Sequence, residues 1–179
     1  MALTPPVPRA LLHTRSVVCE GYRREDGRFD LEARLVDTKP APYRLMTGVR
    51  APGEPIHDMW LRVTIDRDYT IHAVEASMPA TPYPGGCEAI EAGYARLVGA
   101  NLIKGFRGVV KDRLGSVRGC SHLTELAGHL PTAAVQMFAS LVPEDDGRHK
   151  PFQLDRCHAL ESHTDTVRRW YPKWYRGAA

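Results

Sequence analysis

Apolar residues two apart mark the clearest pattern near the start of the chain. Phe29, Leu31, Ala33 and Leu35 alternate with Asp30, Glu32 and Arg34, the signature of a strand with one buried face. Thr14 to Cys19, with Val17 and Val18, is also β-like, and Arg24-Glu25-Asp26-Gly27 separates the two runs. Asp-Gly tolerates the positive φ of hairpin turns, so the pattern predicts a hairpin of 14–23 with 28–37. Asp37 to Glu54 carries Pro40, Pro42 and Pro52 and reads as mostly loop. Trp60 to Asp66 is β-branched and alternating; Asp66 to Tyr69 turns it, and 70–77 returns. After Pro79, Pro82 and Pro84 the period changes. Ile90, Tyr94, Leu97 and Val98 share a helical face that ends near Gly99 and Asn101. A short helix over 105–114 stops at Gly115. Ser121 is expected to cap the next, whose apolar side is Leu123, Leu126, Leu130, Ala134 and Met137, with Pro131 kinking or splitting it.

The expected fold is a single α+β domain over 1–179: an antiparallel sheet with helices packed on one side. The N-terminal hairpin (14–37) is added to a core (54–142) that holds the candidate site. Residues 1–12 are a Pro-rich arm, and Pro143 to Gly147 is a surface loop. The tail, 151–177, carries Phe152, Leu154, Leu160, Trp170, Tyr171, Trp174 and Tyr175, too much aromatic surface for a disordered segment. It is expected to wrap the domain or a partner subunit, which points to a homodimer.

Composition narrows the function classes. The 179 residues are 43% hydrophobic and 25% charged, with a formal charge of +3, ordinary for a soluble domain. The arginines are scattered, which argues against a nucleic-acid track. Neither a membrane span nor a signal peptide is read in the chain. Four widely spaced cysteines do not make a disulfide framework, so a cytoplasmic protein with reduced thiols is expected.

Chemistry concentrates in three pieces: Pro55-Ile56-His57-Asp58-Met59, Tyr83-Pro84-Gly85-Gly86-Cys87 and Arg118-Gly119-Cys120-Ser121-His122-Leu123. Cys87 and Cys120 each stand just ahead of an expected helix, where free N–H groups and positive potential favour a thiolate. His57 and Asp58 precede the central strand. The spacings, 30 residues from His57 to Cys87 and 33 from there to Cys120, are not those of a zinc ribbon. Each residue also has a purely structural reading: cysteines filling tight gaps beside glycine, His57 a hydrogen-bonded imidazole, His122 a ligand, a base or a solvated residue. The chain has no phosphate-binding glycine loop, no nucleotide cofactor is expected, and no Gly-x-Ser-x-Gly elbow is present.

The order loop, hairpin, Cys87, Cys120 over about 54–140 resembles the iron–sulfur scaffold proteins of the NifU/IscU type. That resemblance puts His57, Cys87 and Cys120 at the three ligand positions, with Asp58 beside them. Imidazole in place of a thiolate suits zinc or mononuclear iron better than a transient cluster. A wider resemblance rests on Cys19-x-Gly21-Tyr22-x-Arg24-x-Asp26-Gly27, Asp37-Thr38-Lys39, His57-Asp58-Met59, Tyr83-Pro84 with Cys87, and Gly119-Cys120-x-His122-Leu123. These pieces are similar to the bacterial family catalogued as domain of unknown function 2889, and the resemblance implies catabolism of aromatic or acyl compounds.

Together these readings give an enzyme acting on a small, aromatic (phenolic) molecule, with a lyase step that breaks a C–C or C–O bond. A zinc or iron ion on His57, Cys87 and Cys120 would serve as Lewis acid or activate water. His57, Asp58 and His122 are the candidate catalytic groups. Tyr22, Trp60, Tyr83 and Tyr94 are candidates for an apolar wall, and Arg24, Arg62 and Arg107 for anchors of an anionic or phenolic oxygen. The alternatives are a non-enzymatic metal or cluster carrier, and a metal-free domain in which Cys120 or His122 acts alone.

Overall fold

The computed structural model describes residues 3–139, 141 and 148–177; the loop expected over Pro143 to Gly147 lies outside them. The chain groups into two compact units, Met1–Met137 and Phe138–Ala179. The first is an α+β unit built on a four-stranded antiparallel sheet, β1 (Thr14–Arg23), β2 (Phe29–Thr38), β5 (His57–Ile65) and β6 (Ile71–Ala80), in the order β1-β2-β5-β6. Between β2 and β5 lies a two-stranded hairpin, β3 (Tyr43–Leu45) with β4 (Gly48–Arg50), in the stretch expected to be loop. The helical elements are a 3₁₀ segment (Glu88–Leu97), α1 (Phe106–Leu114), α2 (Ser121–Ala127) and α3 (Leu130–Ala139).

Strand alternation divides the sheet into an apolar and a polar face. Phe29, Leu31, Ala33 and Leu35 of β2 stand opposite Ile65, Val63, Leu61 and Met59 of β5. All eight are at most 3% exposed, and each large side chain so buried is worth about 1.5–3 kcal/mol. α2 packs against β2 and β5, and the 3₁₀ segment against β6. The other face carries ion pairs: Arg62 with Glu32 and Glu75, Arg34 with Asp58, and Arg24 with Asp26 and Asp30. At the inner side of the β1 edge a Cβ on Gly21 would meet Met137 Sδ at 2.4 Å and Cγ at 2.7 Å. Gly21→Ala is therefore expected to cost about 1–3 kcal/mol through overpacking, read from its denaturant midpoint.

The helix expected from Glu88 is present but wound as 3₁₀, which stacks residues three apart; Tyr94 and Leu97 are its buried pair. Ser121 is not the cap. Cys120 holds the N-cap position in extended conformation with no side-chain cap bond, and Ser121 is the first helical residue. α2 ends at Ala127 and α3 begins at Leu130, so Pro131 sits in the first turn of a separate helix, where its missing N–H costs nothing.

The second unit holds α4 (Asp165–Trp170), capped by the Thr164 hydroxyl, which accepts from Val167 N–H. Leu154, Val167 and Tyr171 form its core, with Leu160, Trp174 and Tyr175 packed against them. Among the described residues no helix is long and apolar enough to cross a membrane.

Candidate functional site

One row across the sheet changes character at the His57 end. The inner positions of β1, β2 and β5, apolar or small along most of their length, close with Arg15, Asp37 and His57, which are register neighbours. Asp37 continues the Phe29-Leu31-Ala33-Leu35 alternation onto the buried face and is 2% exposed. A carboxylate at such a position must be fully hydrogen-bonded, and it is. Its Oδ1 accepts from His13 Nε2 (2.9 Å) and Arg15 Nε (2.8 Å). Its Oδ2 accepts from an Arg15 terminal nitrogen (2.8 Å) and from His57 Nδ1 (2.9 Å). Arg15 also reaches Glu125 of α2 at 2.7 Å.

Burial opposes the charge on Asp37, yet the Arg15 guanidinium, aided by the two imidazoles, brings its pKa down to about 2. An ionised carboxylate only accepts, so the proton shared with His57 belongs to Nδ1. That leaves Nε2 of the neutral ring with a free lone pair. Burial lowers the pKa of His57 against the pull of Asp37, with Arg15 and His13 adding to the lowering. His122, in the first turn of α2, lies with its ring centroid 3.9 Å from that of His57 and tilted by 34°. Its pKa is lowered by burial and then by His57 and Arg15. Two half-buried imidazoles are thus held neutral, one above the other.

They open into a cleft of about 500 Å³ whose apolar wall includes Met59, Pro82, Tyr83, Ile90 and Val117, with Cys87, Cys120 and Ser121 completing the polar side. A register shift between Asp58 and Trp60 bulges β6 at this end, and the Met78 N–H it frees is taken by Glu91 Oε1. Bulges commonly re-aim side chains beside functional sites. Tyr94 fixes the Cys120 segment: its hydroxyl donates to the Cys120 carbonyl (3.0 Å), accepts from the Cys120 N–H (3.1 Å) and lies 3.0 Å from Thr124 Oγ1. Tyr94→Phe leaves the Cys120 N–H without this partner, while the Cys120 carbonyl keeps the Thr124 N–H at 2.9 Å, and a loss of about 1–3 kcal/mol is expected in a chemical-denaturation curve.

The expected site residues divide between the two faces of the sheet. His57, Cys87, Cys120, His122 and Tyr83 line the cleft, while Tyr94 is buried behind it. Asp58 does not precede the strand but is its second residue, so it faces away from His57 and forms a two-pronged pair with Arg34 at 2.8 Å. Trp60, with Arg34 stacked over it at 4.8 Å, and Arg62 line a separate depression on the polar face. Tyr22 donates to Glu20 and Arg24 is held by Asp26 and Asp30. Arg107 is exposed on α1.

Ligand geometry also differs from the expected set. Among the described residues, the one trio of His, Cys, Asp or Glu whose ligand atoms all lie within 4.8 Å of one another is Asp37, His57 and His122. Asp37 already spends its four acceptor positions on protein donors, which makes it an orienting group behind His57. Cys120 Sγ lies 4.0 Å from His122 Nδ1, and all four cysteines are free. Sequence reasoning gave no site role to Asp37, Arg15 or His13, although Asp37 stood in one of the family-like pieces. The available signal was a carboxylate in register with a buried apolar stripe.

An α+β unit with an Asp–His pair at the floor of an apolar cleft is the class of protein defined by this fold and site. The family model described as "Protein of unknown function (DUF2889)" matches residues 13–136, and the chain belongs to that family. His13, Arg15, Asp37, His57 and His122 all fall inside the matched segment. No curated protein and no solved structure matches the chain.

Proposed function

We propose that the protein is an enzyme that takes a proton from the hydroxyl of a small phenolic compound and so breaks a neighbouring C–O or C–C bond, a lyase. The observation that carries this reading is the 2.9 Å bond from His57 Nδ1 to Asp37. It turns a basic Nε2 towards the ligand space and stabilises the imidazolium that forms when the proton is taken. His122 stacks against the same ring, with centroids 3.9 Å apart. For a para-hydroxybenzyl ether the phenolic proton passes to His57 Nε2. The ring electrons expel the benzylic oxygen, which takes up a proton from solvent, and the imidazolium releases its own. A quinone methide and an alcohol are left. The test is a panel of para-hydroxybenzyl alcohols and ethers followed by mass spectrometry. Turnover supports the reading, and no turnover across the panel counts against it.

A metal-assisted form of the same chemistry has one observation in its favour, the grouping of Asp37, His57 and His122. Here His57 Nε2 and His122 would hold a zinc or iron ion, with Asp37 orienting His57 from behind. Elemental analysis of protein purified without oxygen decides it. About one ion per chain, as one such site requires, lost in His122→Ala, is the outcome that favours the metal-assisted form; metal-free protein with full turnover rejects it.

A further inference from the structure

Among the described residues the cleft is lined by two imidazoles, two thiols, the Ser121 and Tyr83 hydroxyls and apolar side chains, and by no lysine, arginine, aspartate or glutamate. Four described arginines of the first unit have partners of their own. Arg15 is spent on Asp37 and Glu125. Arg96 is turned onto the Gly93 and Arg118 carbonyls, and Arg118 reaches the Lys111 carbonyl. Arg50 is taken by Glu54 and the Thr81 carbonyl. Three charged residues lie between lining residues along the chain: Asp58 is paired with Arg34 on the other face, Arg118 reaches the Lys111 carbonyl, and Glu88 accepts from the Gly85 N–H and the Thr81 hydroxyl. A ligand anion entering the cleft would lose water and gain no counter-charge, a loss that a binding site does not recover.

Resting on the proton-transfer reading above, we infer that the cleft selects aromatic hydroxyl compounds that carry no carboxylate or phosphate. The only ionisable group of the ligand is then the hydroxyl that meets His57. The apolar wall of Met59, Ile90 and Val117 holds the ring, and discrimination comes from charge, since none of the described lining residues offers a guanidinium or ammonium group to receive an anion.

The experiment compares 2-methoxyphenol with 4-hydroxy-3-methoxybenzoate, which differ by one carboxylate, in NMR titrations of the full chain at pH 7. The neutral phenol is expected to shift the amides of His57, Tyr83, Ile90 and His122 and to bind at least about tenfold more tightly, a ratio that measures the discrimination directly. Val117→Arg places a cation on the wall and is expected to close or reverse that ratio, with affinity for the acid now falling as salt rises. Equal or tighter binding of the acid by the unaltered chain overturns the inference, as does binding of neither compound at millimolar concentration. The two readings fail separately. Selective binding without turnover of the lyase panel rejects the proposed chemistry alone, and turnover with no selectivity rejects this inference alone.

Discussion

Turnover by His57→Gln is expected to fall by about a hundredfold to ten-thousandfold, the range that a positioned general base contributes. Glutamine fills most of the imidazole volume and keeps a donor for Asp37, so the fold is retained, but it has no basic nitrogen at the position of Nε2. The pH profile gives the same residue a second signature. Burial lowers the pKa of His57 below its ordinary value of 6.5, so the rising limb of kcat/KM lies below pH 6.5 and activity is level through neutrality. A limb above 6.5 would mean that the free enzyme carries His57 as an imidazolium. A nearly unchanged kcat in His57→Gln would remove the residue from the chemistry.

Removal of Asp37 should produce the largest loss of stability at a single side chain of the site. Breaking a fully buried ion pair by deleting one partner costs about 3–5 kcal/mol. The Arg15 side chain is 30% exposed and keeps Glu125, so the expected cost of Asp37→Ala is lower, about 2–3 kcal/mol. Because the folded pKa of Asp37 is depressed from 3.8 to about 2, its charge contributes roughly 2 kcal/mol. That contribution is present above pH 4 and is lost as pH falls through about 2. His57 and His122 are also depressed. Their contribution is full above pH 6.5 and declines as pH falls below it, because the unfolded chain takes up the protons first. Urea midpoints against pH should therefore show a decline beginning near 6.5 and a second one towards 2. Asp37→Ala should show a shallower second decline, the remainder coming from Asp26, Glu54, Asp66, Glu88 and Asp155, which are depressed as well. An unaltered acid limb would show that Asp37 is not the ionised hub of the site.

Much of the first unit can be read from alternation alone. The two long hairpins follow from period-two runs of Leu, Val and Ile that have only one satisfactory face. The same rule, carried two residues further at each strand end, places the chemistry: Asp37 continues the β2 stripe and His57 begins that of β5. Ending the apolar stripe of the predicted strand 28–37 at Leu35, and placing His57 ahead of the central strand, hid Asp37. It also put Asp58 beside His57, when one step along a strand is a change of face. The β3–β4 hairpin has three residues per strand beside Pro40, Pro42 and Pro52, too few positions to show a period. Cys120, not Ser121, holds the cap position, and its N–H is satisfied by the Tyr94 hydroxyl, a contact 26 residues away that no local pattern announces. The meeting of His57 with His122 is tertiary for the same reason: each was legible as a candidate, but their 3.9 Å approach depends on how α2 crosses the sheet.

The measurement closest to the central claim is an NMR titration of the imidazole nitrogens of His57 and His122 in the unliganded protein, since it needs no substrate. The account predicts His57 neutral at pH 7 with its proton on Nδ1, a midpoint below 6.5, and collapse of that tautomer preference in Asp37→Ala. A proton on Nε2, or a ring still charged at pH 7, would mean that His57 presents no base to the cleft, and the proposed chemistry would have to be abandoned.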